Sequence, residues 1–355
     1  MIVLVLNNFN SGGAERIFLT IASYLKEKQE SFKVISINDF GVLKSDYEKV
    51  AKIEILPRSY ILRTLLLIKT VFLNKKDFYL CNSLESSIYF AMIGVLTAQE
   101  KSITLRIANN IDNIKDRRLI KKIFIKFVIW ACYHKFKIIA NSESSLKDYK
   151  SINGAIDGLV IPNPINLSDF FSVRSFNKSK DGFIRICSVA RLHPQKNLEY
   201  LLDVFEQLVN QKLYRVVLEI VGDGPEESRL IERSKNLPVV FIKPPVDIAH
   251  FFKNKDLFML FPTFEGFGNV YVEALAAGLP LITWRCKGGM NEVVSRLSPI
   301  RIFENDSSQT IANKTHAVIR DRILRCKYRP ADQSKFEFLC PDLIICRYID
   351  YVCSE

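Results

Sequence analysis

The sequence predicts an α/β protein made of two doubly wound, Rossmann-like domains facing a central cleft. Three observations carry that prediction. Short apolar runs alternate with longer amphipathic stretches from the first residue, which is the pattern of βα units around a parallel sheet. The pattern restarts past the middle of the chain. At 355 residues, with 48% hydrophobic and 25% charged side chains, the chain is too long for one ordinary core and apolar enough to fill two.

In the first half, strands are expected at residues 2–6, 33–37, 78–81, 103–106, 138–140 and 159–161. In the second half they are expected at 184–190, 216–221, 239–242, 257–261 and 281–283. Between the halves, Pro162-Asn-Pro-Ile-Asn-Leu-Ser-Asp169 and the polar run 174–182 break the periodicity with proline and charge, as a linker does. The boundary is therefore placed near residue 168, giving domains 1–168 and 169–332 and a C-terminal segment 333–355. Open α/β sheets bind ligands beyond the carboxyl ends of their strands, so two such domains are expected to share a loop-lined cleft.

The formal charge is +12, and the excess lies in the first half: residues 1–167 hold 24 Lys and Arg against 15 Asp and Glu. A basic surface there suits nucleic acid, anionic lipid or a phosphorylated acceptor. The eight cysteines form no CxxC pair and no metal-ligand spacing with the four histidines, which points to free thiols in a reducing cytoplasm. The opening Met-Ile-Val-Leu-Val-Leu-Asn lacks a basic n-region, and no uncharged run approaches bilayer length. A soluble or peripheral protein is expected.

The most informative segment is Pro262-Thr-Phe-Glu-Gly-Phe-Gly-Asn-Val-Tyr-Val-Glu-Ala-Leu-Ala-Ala-Gly-Leu-Pro280, an apolar strand end, a glycine loop and a helix. A helix that begins beside a glycine loop offers backbone N–H groups and a positive dipole end, a setting for phosphate. Gly268, Asn269 and Val270 stand at that helix start. Glu265 in the loop and Glu273 on the first turns then flank the anion, each within reach of a polyol. Phosphate between two sugars is a nucleotide sugar. The competing reading is a pair of solvated helix-edge carboxylates; the flanking Phe-Gly-Asn and Ala-Ala-Gly-Leu-Pro favour the ligand reading.

Three further segments follow strand candidates. Asn10-Ser-Gly-Gly-Ala-Glu-Arg16 opens a helix, and Gly12 and Gly13 let backbone approach a ligand closely. Ser188-Val-Ala-Arg-Leu-His-Pro-Gln-Lys-Asn-Leu-Glu199 offers the fork of Arg191 and the ammonium of Lys196 to a departing phosphate. His193 is read as uninvolved. Leu218-Glu-Ile-Val-Gly-Asp-Gly-Pro-Glu-Glu-Ser228 is a glycine turn with Pro225 placed for a first helical turn. A turn without ligand demands Gly222 and Gly224 equally.

Together these segments resemble the donor half of the retaining GT-B glycosyltransferases of family 4, glycosyltransferase group 1, which includes bacterial surface-polysaccharide and lipopolysaccharide enzymes. The resemblance implies that Glu265 contacts the donor sugar and Glu273 the nucleotide ribose. It implies that Arg191 and Lys196 bind the donor diphosphate, that Gly12 and Gly13 lie in the cleft against the donor diphosphate or the acceptor, and that Gly222 stands in a turn near the nucleotide. It places Gly288-Gly-Met-Asn-Glu292 near the donor as well. It implies retention of anomeric configuration without a metal cofactor, since the cations and the helix near Asn269 neutralise the leaving group. Asn109, and Arg106 after it, are the candidates for sugar or acceptor contact; the competing reading is loop hydrogen bonding to backbone. Lys243 stands where the family usually has glycine in its nucleobase loop, which leaves the base open, with UDP the expectation. Relatives end in a helix that returns to the first domain, a role that residues 343–352 can fill although Pro330 and Pro341 interrupt the approach.

In 115–137, Leu119, Ile120, Ile123, Phe124, Phe127, Val128 and Ala131 form an apolar face at helical spacing. Ile125, Ile129 and Trp130 widen it, with lysines and arginines on the other faces. Segment 61–76 is a second basic and apolar candidate. Each reads either as a helix packed on its sheet or as a seat on an anionic membrane surface. The expected protein is thus a cytoplasmic enzyme on the inner face of the membrane, acting on a nucleotide-sugar donor and a lipid-linked saccharide acceptor. Alternatives are an epimerase or hydrolase of nucleotide sugars, a basic nucleic-acid-binding protein, and an inactive relative. No basic-aromatic module of the known nucleic-acid binders is present, so nucleic acid is not an expected partner.

Overall fold

The computed structural model describes residues 1–10, 12–108, 119–171, 182–297, 302–324 and 332–354. The chain forms two compact units, Met1–Asn166 with Phe338–Glu355, and Leu167–Glu337.

The first unit is a seven-stranded parallel sheet of β1 (Ile2–Leu6), β2 (Phe32–Ser36), β3 (Ile53–Ile55), β4 (Phe78–Cys81), β5 (Ile103–Ile107), β6 (Lys137–Ala140) and β7 (Leu159–Val160). Their order is β3-β2-β1-β4-β5-β6-β7, a doubly wound arrangement that reverses between β1 and β4. β1, a continuous apolar run, is buried along its whole length, as a strand inside a two-faced parallel sheet should be, and β5 is buried throughout with Thr104 and Arg106 included. The helices are α1 (Gly13–Glu27), α2 (Lys44–Val50), α3 (Tyr60–Leu73), α4 (Leu84–Thr97), α5 (Leu119–Cys132) and α6 (Glu143–Lys150). α1 buries Ile17, Phe18, Ile21, Ala22 and Leu25, one stripe at helical spacing. Ser83 caps α4 in a reciprocal capping box with Ser86.

The second unit repeats the plan with β8 (Ile184–Val189), β9 (Val216–Val221), β10 (Val239–Ile242), β11 (Leu257–Met259), β12 (Leu281–Trp284) and β13 (Ile302–Phe303). Their order is β10-β9-β8-β11-β12-β13, again parallel, with the reversal between β8 and β11. Its helices are α7 (Leu198–Asn210), α8 (Glu227–Arg233), α9 (Ile248–Lys253), α10 (Asn269–Ala276), α11 (Met290–Leu297) and α12 (Ser308–Val318). The last helix, α13 (Pro341–Cys353), belongs to the first unit and packs on α1 and β4.

The structure corrects several details of the sequence reading. β3 and β13 are strands that the reading omitted; both are sheet edges of two or three residues. Pro225 precedes α8, whose N-cap is Glu226. Pro341 opens α13 at its first turn, where a missing N–H costs nothing, so it starts that helix and does not interrupt it.

For α5 the structure selects which residues meet the sheet. Its buried residues are Ile125, Val128 and Ile129, whereas Leu119, Ile120, Ile123, Phe124 and Phe127 face outward. Most of the first apolar stripe is therefore exposed, while Val128 and the residues that widen it, Ile125 and Ile129, meet the sheet. A helix that is apolar all round carries two stripes at helical spacing, and sheet geometry alone chooses between them.

Candidate active site

In the second unit the loops after β8 and β11 leave neighbouring strands where the strand order reverses, the position at which doubly wound sheets hold ligands. The β8 loop carries Arg191 and Lys196; the β11 loop carries Glu265 and runs into α10. The Lys196 ammonium and the Glu265 carboxylate form an ion pair, their side chains only 12% and 14% exposed. Arg191 is exposed, and its Nη2 donates to Gln195 Oε1 at 3.4 Å.

Gln195 was not singled out from sequence, yet it holds the two loops together. Its Nε2 donates to the Phe264 carbonyl at 3.1 Å. Its own carbonyl accepts from the Thr263 N–H at 2.9 Å and the Thr263 hydroxyl at 3.2 Å. Its neighbours in the sequence are the only hint, since a glutamine between proline and lysine has no pattern of its own. His193 has a local role: its Nδ1 accepts from the Gln195 N–H at 3.3 Å and caps the short turn Pro194–Lys196.

A third loop closes on the second. The Glu265 N–H donates to the Lys287 carbonyl at 2.8 Å, and the Gly289 N–H to the Gly266 carbonyl at 2.7 Å. The segment that contains Gly288 and Glu292 is thereby tied to Glu265. Cys286, in this loop, is also part of the site. Burial pushes its thiol up to about 12, the Glu265 carboxylate adding to the rise and Lys196 opposing it. Cys286 is therefore expected to resist iodoacetamide at about pH 8, where almost no thiolate forms, under conditions that alkylate the exposed Cys340. Peptide mapping by mass spectrometry checks the order of labelling.

α10 begins at Asn269 behind Gly268, whose φ of 79° is left-handed and whose added Cβ would lie 2.7 Å from the Tyr271 ring and 2.9 Å from Met290. Glycine is required there by conformation and space, and it brings no side chain to cap the helix. The positive end of α10 thus faces the loop that carries Glu265, with Asn269 and Val270 on its first turn and half-buried Glu273 on its second. Gly222 has a different reason to be glycine. A Cβ there would lie 1.9 Å from the Ala190 carbonyl oxygen, so it lets the β9 turn press against the β8 loop. Gly224 does the same against Leu192, at 2.4 Å. Lys243 is exposed and pairs with Glu227 of α8 at 2.8 Å.

In the first unit, Gly12 is the N-cap of α1 and Gly13 its first residue. A Cβ on Gly12 would lie 2.4 Å from Glu15 Oε2, so a carboxylate of the same helix already folds over its positive end. The sheet reverses beside this helix start, where Asn82 Oδ1 accepts from the Asn7 N–H at 3.3 Å and Asn38 Nδ2 donates to the Asn7 carbonyl at 2.9 Å. This amide cluster was not anticipated. Asn109 lies outside the described residues.

Arg106 departs from its expected place. It is 2% exposed, and its guanidinium donates to the Tyr348 hydroxyl at 3.1 Å, the Asn82 carbonyl at 3.4 Å and Asn163 Oδ1 at 2.6 Å. The alternation of β5 turns it inward as the fastener of α13, with every contact given to protein.

The two doubly wound units define the GT-B fold. Over 99% of both chains the structure superposes on Anabaena HepE in complex with UDP-glucose, with a TM-score of 0.82 and 19% identity, a likeness of fold. Residues 169–334, almost the whole second unit, match the family model of glycosyl transferases group 1. The amylovoran biosynthesis glycosyltransferase AmsD of Erwinia amylovora is 26% identical over 52% of this chain and 54% of its own. The capsular polysaccharide biosynthesis glycosyltransferase CapM of Staphylococcus aureus is 34% identical over 41% of this chain and 39% of its own. The chain therefore spans about half the length, or less, of these curated relatives.

Proposed function

We propose that this protein is a retaining glycosyltransferase that moves a sugar from a UDP-sugar to a lipid-linked or saccharide acceptor in surface-polysaccharide assembly. The observation that carries the reading is the convergence of Arg191, Lys196, Glu265 and the start of α10 at the strand reversal of the second unit. Cleaving a sugar–phosphate bond leaves a doubly charged diphosphate, and fixed cations with a helix end aimed at it lower that barrier. In this scheme no metal is required, because Lys196 and Arg191 supply the positive charge.

Glu265 then has two states. Without donor its carboxylate neutralises Lys196; with donor the diphosphate takes the ammonium and Glu265 turns to the sugar hydroxyls. Glu273, a turn further along α10, holds the ribose. The amide cluster at the sheet reversal of the first unit, beside Gly12 and Gly13, suits neutral hydroxyls better than phosphate, because Glu15 already occupies that helix end. The names of AmsD and CapM support a polysaccharide setting, and the UDP-glucose in HepE supports the donor class. The protein would work at the inner face of the cytoplasmic membrane, where a lipid-linked acceptor is presented.

The test is donor consumption and transfer across UDP-, GDP- and ADP-sugars, with and without lipid-linked acceptor. Glu273→Ala is expected to weaken UDP-sugar binding about tenfold, the loss of one charge-assisted pair to the ribose. Calorimetry showing unchanged donor affinity removes Glu273 from the ribose. Donor consumption that is indifferent to acceptor points instead to an epimerase or hydrolase.

A further inference from the structure

α3 and α5 carry far more apolar surface than their sheet covers. α3 buries only Leu67 and Val71, and α5 only Ile125, Val128 and Ile129. On α3, Ile61 is 70% exposed and Leu73 63%; on α5, Ile120 is 83% exposed and Phe127 59%. Both helices pack against α4, which adds Leu96 at 69% exposure, so the three form one layer over the core of the first unit. A monomeric soluble domain rarely leaves so much contiguous apolar surface uncovered.

The charge on this layer selects its partner. Segment 58–76, which contains α3, holds Arg58, Arg63, Lys69, Lys75 and Lys76 and no acidic residue; α5 holds Lys121, Lys122 and Lys126 and no acidic residue. Two copies of such a face repel each other, whereas a surface both apolar and anionic attracts it. Aromatic side chains stand among the lysines: Trp130 is 55% exposed with its ring 6.2 Å from Phe127, and the Lys75 ammonium lies 5.3 Å from the Phe72 ring. Apolar bodies with aromatic and cationic rims are the chemistry of a helix lying in the headgroup plane of a bilayer.

We propose that the α3–α4–α5 layer is a monotopic docking face for an anionic lipid bilayer, with α3 and α5 lying in the interface and their lysines on the headgroup phosphates. This deepens the membrane reading given above and rests on it only for the meaning of docking, not for its occurrence. The face needs two signals together, apolar insertion and phosphate charge, since neither alone holds a protein firmly at a membrane.

The sequence supplies its own probe. There are two tryptophans, and Trp284 is buried in the second unit while Trp130 sits on the docking face. The experiment is sedimentation of the full chain with vesicles of phosphatidylglycerol in phosphatidylcholine, or of phosphatidylcholine alone, read alongside tryptophan emission and without any donor. Binding to the anionic vesicles with a blue shift is expected, together with a drop of about tenfold when salt rises from about 0.1 to about 1 M. Lys121→Gln with Lys122→Gln and Lys126→Gln, or Ile120→Gln with Phe127→Gln, each exposed and outside the donor site, is expected to lower binding about tenfold while calorimetric affinity for UDP-sugar stays unchanged. Equal binding to both vesicle types, no shift of Trp130, or concentration-dependent self-association abolished by Ile120→Gln with Phe127→Gln overturns the proposal. Because donor binding is measured separately, loss of that affinity in Glu273→Ala bears on the glycosyltransferase reading, not on this face.

Discussion

Replacing Lys196 by methionine is expected to lower the kcat for sugar transfer by about 10²- to 10³-fold, the cost of removing one preorganised charge from a developing oxyanion. The KM for donor should rise less, because the ammonium gains most when the diphosphate acquires its second negative charge. A second consequence follows from the ion pair. With both side chains under 15% exposed, losing the lysine leaves the Glu265 carboxylate short of water and of its partner, a destabilisation of about 3 kcal/mol. The Lys196→Met, Glu265→Gln double variant removes that unpaired charge and should recover most of the stability. Steady-state kinetics on the single and double variants, beside thermal unfolding, separates the two effects. A double variant that recovers transfer as well as stability would show that Lys196 serves the fold and not the phosphate.

Arg106→Met is expected to destabilise the first unit by about 3 kcal/mol or more, while leaving the second unit untouched. The methionine fills the stem of the side chain but supplies no donor, so Asn163 Oδ1, the Asn82 carbonyl and the Tyr348 hydroxyl each lose a charged hydrogen bond inside the unit. Arg106 also lies over the Phe18 ring, 6.0 Å from its centroid, which adds a packing contact to the loss. Hydrogen exchange resolves the two units: amides of β5 and α13 should exchange faster while those of β8 and β9 keep their protection. Unchanged protection in α13, with a raised KM for acceptor, would instead return Arg106 to the substrate.

The fold was legible because parallel sheets bury central strands on both faces, so strands such as Ile2–Leu6 and Phe78–Cys81 appear as uninterrupted apolar runs. Ile2–Leu6, Phe78–Cys81, Val216–Val221 and Val239–Ile242 have the bounds that their sequence predicts. Ile53–Ile55 escaped because an edge strand has one neighbour and tolerates Glu54 in its middle, where it pairs with Lys33 at 3.0 Å. The candidate site was legible to the extent that its elements follow strand ends: glycine, proline and charge in strand-to-helix loops announce themselves. What sequence does not encode is the direction of a side chain across a sheet. Arg106 and Asn109 end the same run, and nothing in their neighbours says that Arg106 turns toward Tyr348, 242 positions away. The same limit left open which residues of α5 meet the sheet. Gln195 was invisible for a further reason, since its function is to bridge backbone atoms that only tertiary structure brings within reach.

The passage of the chain out of the first unit and back at Phe338 has a consequence for biogenesis. During translation the amino-terminal sheet emerges first, yet Arg106, Asn163 and Asn82 must wait for Tyr348 before their network closes. The half that is made earliest is the one completed last. Until α13 has been made, the Arg106 guanidinium stands short of its Tyr348 partner, and the first unit lacks the latch that α13 supplies.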